Sequence, residues 1–173
     1  MGMMLLSLLL LALGVQDPKP LAVGDPVPDF VVADLSGGTV KLSELRARAP
    51  SGVVSLTFWC TFCHSCRMLD AKLQKRADDH KGRAAVAGVD ASAVDDAKKI
   101  GEFAKAKGFT VPVFLDAAGK AADLFGVKVT TTTMIIDQAG VLRYRGTFDG
   151  AGDALAAVLE GKDVAVRETP PKG

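Results

Sequence analysis

Val53-Val54-Ser55-Leu56-Thr57-Phe58-Trp59-Cys60-Thr61-Phe62-Cys63-His64-Ser65-Cys66-Arg67 joins an apolar, strand-like run to all three cysteines of the chain. A strand that ends in Cys-x-x-Cys, with a helical pattern beginning at the first of these cysteines, sets that sulfur where unpaired backbone N–H groups point and the helix dipole is positive. A thiolate is favoured there over a thiol. The second cysteine, three residues on, falls on the same helix face and can displace a mixed disulfide. The pattern points to thiol redox chemistry, with Cys63 attacking and Cys66 resolving.

The same stretch carries a wider likeness. Phe58-Trp59, an aromatic at Phe62, Cys63-x-x-Cys66 and Arg67 resemble the signature of TlpA-like and ResA-like thioredoxin-fold proteins. Val23-Gly24-Asp25-Pro26-Val27-Pro28-Asp29-Phe30 resembles the opening of redoxin (AhpC/TSA-type) domains. Val111 to Asp116, Gly119-Lys120 and Phe125-Gly126-Val127 are similar to their middle, and Ile135 to Gly140 with Tyr144-Arg145-Gly146 to their last hairpin. Several motifs in order are more specific than one Cys-x-x-Cys. The resemblance implies a thioredoxin fold and a thiol:disulfide oxidoreductase that uses its own cysteines and no cofactor. Its partners would be protein thiols and disulfides, with electrons drawn from a membrane thiol transporter. Trp59 and Phe62 would border the dithiol, together with His64, Ser65 and a facing loop at Thr130-Thr131.

Length and composition agree with one domain. A chain of 173 residues can bury a full core. Its net charge of +1 leaves no basic stripe for a nucleic-acid backbone. Met3 to Gly14 is an uncharged apolar run too short for a comfortable membrane span and right for a signal-peptide core, with Ala12-x-Gly14 as cleavage site. An uncleaved membrane anchor is the alternative. The expected organisation is a signal peptide or anchor over 1–14, a linker over 15–20, a redoxin domain over 21–160 and a flexible tail over 161–173. Export, to the bacterial periplasm or the outer face of the membrane, would place the cysteines in an oxidising compartment.

The coarse reading is a hairpin at 30–42, a helix capped by Ser43, a central strand at 52–58 and a helix from Cys63 to about Lys81. That helix turns Cys66, Leu69, Leu73 and Ala77 inward, and Lys72, Lys75, Arg76 and Asp79 toward water. A strand at 84–89 precedes a helix opened by Ser92 and stopped by Gly108. Then follow a strand at 113–115, a helix at 121–125, a strand at 132–136, a turn at 138–140, a strand at 141–144 and a last helix at 153–159. Arg143 and Arg145 read as the solvent face of that last strand, and Arg67 as a solvated helix residue. The sum is a three-layer α/β/α arrangement: a central mixed sheet, an N-terminal hairpin and helices on both faces.

Departures from the family pattern bear on the chemistry. Thr131, within Thr130-Thr131-Thr132-Thr133, stands where relatives carry a cis-proline, so a cis bond is not expected. Thr57 and Leu69 stand where relatives place buried acids, which leaves Asp70 as the nearby base for Cys66. Cys60 replaces the usual alanine and admits three readings: a small buried residue, a second disulfide partner for Cys63, or a soft metal ligand. In the last, Cys60, Cys63, His64 and Cys66 offer donors for copper(I), zinc or an iron–sulfur centre. Against a four-ligand site, adjacent Cys63 and His64 diverge on a helix, and a ferredoxin-type cluster needs a fourth cysteine. Thr57-x-x-Cys60 also matches the end of the peroxiredoxin signature, with Val53 in place of its proline, so a thiol peroxidase using Cys60 is a further alternative.

Overall fold

The computed structural model describes residues 19–170; the expected signal peptide or anchor and most of the linker lie outside them. Among the described residues no helix is long and apolar enough to cross a membrane. The elements are β1 (Val31–Ala33), β2 (Thr39–Lys41), α1 (Leu42–Ala47), β3 (Val54–Phe58), α2 (His64–Asp79), β4 (Ala85–Asp90), α3 (Ala97–Lys107), β5 (Val113–Leu115), α4 (Lys120–Phe125), β6 (Thr133–Ile136), β7 (Leu142–Gly146) and α5 (Gly150–Leu159). Seven strands form one mixed sheet in the order β2-β1-β5-β4-β3-β6-β7. β3 runs parallel to β4 and antiparallel to β6.

Side-chain alternation along the strands explains the layers. Val54, Leu56 and Phe58 of β3, with Ala87 and Val89 of β4 and Met134 and Ile136 of β6, pack against Leu42 and Leu45 of α1 and Ala121 and Phe125 of α4. On the other face, Val86 and Val113 meet Leu73 of α2 and Ile100 of α3, while Ile135 and Tyr144 meet Ala151, Ala154 and Leu155 of α5. β3 is buried throughout, so its C-terminal end delivers the cysteine segment from the rigid centre of the sheet.

Several local expectations are corrected. The α1 cap is Lys41, whose N–H donates to Glu44 Oε2 at 2.7 Å, while Ser43 lies inside the helix and donates to Asp29. α3 starts at Ala97 with Asp96 as cap, accepting from the Lys99 N–H at 2.8 Å. Ser92 instead forms a turn whose Oγ accepts from the Asp95 N–H. Gly108, at φ 62°, ends α3 in the left-handed conformation that glycine adopts at least cost. Arg76 does not face water: its guanidinium lies 3.5 Å from the Phe148 ring centroid and donates to the Phe148 carbonyl, and burial holds its pKa down to about 10.

The arginines of β7 are braces, not a solvent face. Arg143 bridges Asp137 and Asp163. Arg145 donates to the carbonyls of Leu21 and Phe125 and to Glu168. The segment expected to be a flexible tail is, over its described part 161–170, mostly exposed but tied to β7 at Asp163 and at 167–169. The Arg145 N–H donates to the Arg167 carbonyl, Thr169 N–H to the Arg145 carbonyl, and the Tyr144 hydroxyl meets Thr169 Oγ1 at 2.6 Å. Val164, in the same segment, is buried with Tyr144 and Leu155.

Candidate active site

Beyond Phe58 the chain stays locked to the sheet, because the Trp59 N–H donates to the Val89 carbonyl at 2.9 Å and the Thr131 N–H to the Phe58 carbonyl at 2.6 Å. Two loops, Trp59–Cys63 and Val129–Thr132, are thereby held side by side at the end of the sheet. Between them runs a groove of about 440 Å³ that reaches from Phe62 and Cys63 to Val127 and Thr130. Cys63 is the N-cap of α2: its sulfur accepts from the Cys66 N–H at 3.4 Å and lies 3.1 Å from Thr130 Oγ1. Cys66 and Cys60 are buried and Cys63 is half-buried at the groove. All three sulfurs lie within 4.8 Å of one another.

The environments separate these thiols. Burial is the largest influence on Cys63 and acts upward. The Thr130 hydroxyl and the N–H groups of Cys66 and Ser65 together outweigh it, and the thiol sits below its ordinary value. Burial dominates at Cys66 and pushes it up to about 12. Cys60 is also raised, first by burial. The reachable sulfur is thus the one most readily ionised, and the sulfur beneath it is held protonated.

Other candidates take definite places. Thr131, the residue in the cis-proline position, is joined by trans peptide bonds and adopts φ 70°, a left-handed conformation uncommon for a β-branched residue and worth about 1–3 kcal/mol of strain. Trp59 is buried and stacks on Phe109, while Phe62 is 59 % exposed and packs into no core. His64 is exposed and does not join the sulfur cluster; Ser65 contributes its N–H. Arg67, expected to be solvated, is held over the rings of Trp59 and Phe103 and donates to the carbonyls of Cys60 and Thr61. Asp70 accepts from Arg67 and from Trp59 Nε1 at 2.8 Å, so its carboxylate is committed to the frame and not to Cys66.

The sequence reading passed over an acid pair. Asp90 ends β4 fully buried, next to the strand that leads into Cys60. Its Oδ1 accepts from the Ser92 N–H at 2.7 Å, while Oδ2 has no donor among the described groups. Burial, with the neighbouring Asp95 carboxylate adding to it, raises Asp90 to about 6. Desolvation is the largest single influence on Asp95 and acts upward, but the Thr61 hydroxyl and N–H, with Asp90 and Lys99, outweigh it and hold Asp95 low; Asp95 anchors the loop between Cys60 and Cys63. The available signal was a charged residue closing an apolar strand beside the cysteine strand.

A thioredoxin fold with Cys-x-x-Cys at the start of the helix after its central strand defines a thiol–disulfide oxidoreductase. The AhpC/TSA family model matches residues 23–145, and the chain belongs to that family. It is 29% identical over 153 residues to the thiol-disulfide oxidoreductase ResA of Geobacillus thermodenitrificans (strain NG80-2), covering 83% of each chain. With ResA of Geobacillus kaustophilus (strain HTA426) it shares 30% over 125 residues, 70% of this chain and 67% of that one. Among solved structures, a putative thiol:disulfide interchange protein DsbE from Chlorobium tepidum superposes with a TM-score of 0.68 at 25% identity, over 80% of this chain and 99% of the other.

Proposed function

We propose that Cys63 and Cys66 exchange a dithiol for a disulfide with protein partners outside the cytoplasm. The Cys63 thiolate attacks a partner disulfide, forming a Cys63–partner bond as the partner's second sulfur leaves as thiolate. Cys66 then attacks Cys63, its proton passes to the departing partner sulfur, and two electrons have moved to the partner. With the disulfide formed first, the same steps run in reverse. The observation that carries the reading is the contrast at the start of α2, where an accessible sulfur receives hydrogen bonds from Cys66 N–H and Thr130 and its partner sulfur is buried 4.8 Å away or less. The exposed Phe62 ring beside Cys63 offers an apolar contact to an incoming chain. No resident cofactor enters this chemistry. Cys60, the sulfur that a peroxidase would use, is buried with a raised pKa, which disfavours the thiolate that peroxide reduction needs.

In insulin reduction, Cys63→Ser abolishes turnover, Cys66→Ser accumulates a mixed disulfide on Cys63, and Cys60→Ser keeps much of the activity. Equal loss from the Cys60 and Cys63 replacements contradicts these roles. Export rests on the apolar run Met3 to Gly14. Fractionation of expressing cells tests it, with recovery in the cytoplasm as the contrary result. A membrane thiol-electron transporter is the proposed source of reducing equivalents, and trapping it on the Cys66→Ser protein is the corresponding assay.

A further inference from the structure

We propose that the reduced protein holds one copper(I) ion on the sulfurs of Cys60, Cys63 and Cys66, and that this ion and the Cys63–Cys66 disulfide exclude each other. The site shares two sulfurs with the exchange reaction but does not rest on it. Three sulfurs within 4.8 Å of one another are close to a ligand set. At a metal–sulfur distance of about 2.3 Å, a planar three-sulfur site sets its sulfurs about 4 Å apart. Small side-chain rotations close that gap.

Coordination number selects the metal. Among the described residues no further His, Asp or Glu joins the three cysteines, and His64 is exposed. Structural zinc and iron–sulfur clusters call for four protein ligands, and three-ligand zinc sites with an open water position are built around histidine, whereas three thiolates with no nitrogen or oxygen donor suit copper(I). The surroundings agree: Cys60 and Cys66 belong to the apolar cluster of Trp59, Leu73, Val86 and Ile100, and Cys63 packs against it. Cys63, at the groove, is the point of entry.

Binding replaces three S–H bonds with three metal–sulfur bonds and releases three protons, with copper staying in its +1 state. The resulting double negative charge faces the N-terminus of α2, where the Cys66 N–H already points at Cys63; the Asp90 carboxylate acts against it at Cys60. A Cys63–Cys66 disulfide removes two of the three ligands. Copper loading therefore silences exchange, and oxidation expels the ion.

The test titrates the full chain, reduced and anaerobic, with copper(I) buffered by bathocuproine disulfonate. The expected result is one copper per chain with three sulfur neighbours by X-ray absorption, and none on the oxidised protein. Loss of a first ligand costs more than the 10–100-fold typical of outer-shell changes, so Cys60→Ala or Cys60→Ser should weaken retention more than ~100-fold and leave two sulfur neighbours. No retention by wild type, a two-sulfur shell in wild type, equal retention by the Cys60 variants, or retention by the oxidised protein overturns the proposal. The wild-type absorption spectrum decides even if both variants fail to fold. The exchange reading fails on a separate readout, turnover by Cys63→Ser.

Discussion

The edge strand β7 and the ends of the central strands β3 and β4 handle polar groups differently. Along β7, the arginines, Tyr144 and Thr169 find partners: Arg145 ties Leu21, Phe125 and Glu168 together, and the Tyr144 hydroxyl donates to the Thr147 carbonyl while meeting Thr169. Where β3 and β4 end, Asp90 keeps an oxygen without a donor, Cys66 is held protonated in apolar surroundings and Thr131 sits in a strained conformation. Cooperative bracing at the edge accompanies under-satisfied, reactive groups at the strand ends. Substitutions at the two sites should therefore separate stability from activity.

The largest separation comes from Cys63→Ser. Turnover should fall by more than about 1000-fold, the order associated with losing an essential nucleophile, while the urea midpoint stays close to wild type. A large loss of stability would show that Cys63 is also part of the frame. The converse is Arg145→Met, which strips donors from two backbone carbonyls and should cost about 2–3 kcal/mol in denaturant unfolding. Turnover per folded molecule is retained. If activity falls and stability does not, the contrast between the two regions is lost.

Asp90→Asn sharpens the comparison through pH. The folded-state pKa of Asp90 is raised from 3.8 to about 6, so the folded protein holds this proton more tightly than the unfolded chain. Stability from this group is fully present below about pH 4 and is lost as pH rises through about 6. An asparagine keeps the acceptor for the Ser92 N–H and cannot ionise. The variant should be more stable than wild type by about 1–3 kcal/mol at pH 7.5, and the gap should close on acidification below about pH 5. A variant less stable at neutral pH would mean that the carboxylate has a stabilising partner.

The smallest effect belongs to Thr130→Val. Removing the hydroxyl 3.1 Å from Cys63 should raise the thiol pKa and slow its alkylation at pH 7 by up to about tenfold, one pKa unit or less. An unchanged rate would leave the helix N-terminus alone responsible for the lowered value.

Much of this was legible in the sequence where the signal is local. The apolar run into Cys-x-x-Cys fixed β3 and α2, and the alternating strands and helices gave the layered sheet. Arg67 reads as solvated in the sequence because the rings that hold it include Phe103, on a helix distant in sequence and brought alongside only by packing. Asp90 was missed since an acid after an apolar strand looks like the first residue of a loop. The pairing of 167–169 is invisible locally, because what orders Thr169 is a set of partners on β7 and just after it, Tyr144 and Thr147, and not any pattern of its own.

Labelling of each cysteine in the reduced protein with iodoacetamide between pH 5 and 10, resolved by mass spectrometry, tests the central claim most directly. The account predicts that Cys63 alone is modified at neutral pH, with a midpoint below that of an ordinary thiol, and that Cys60 and Cys66 stay unmodified. Labelling of Cys60 or Cys66 at a rate equal to that of Cys63 would contradict it.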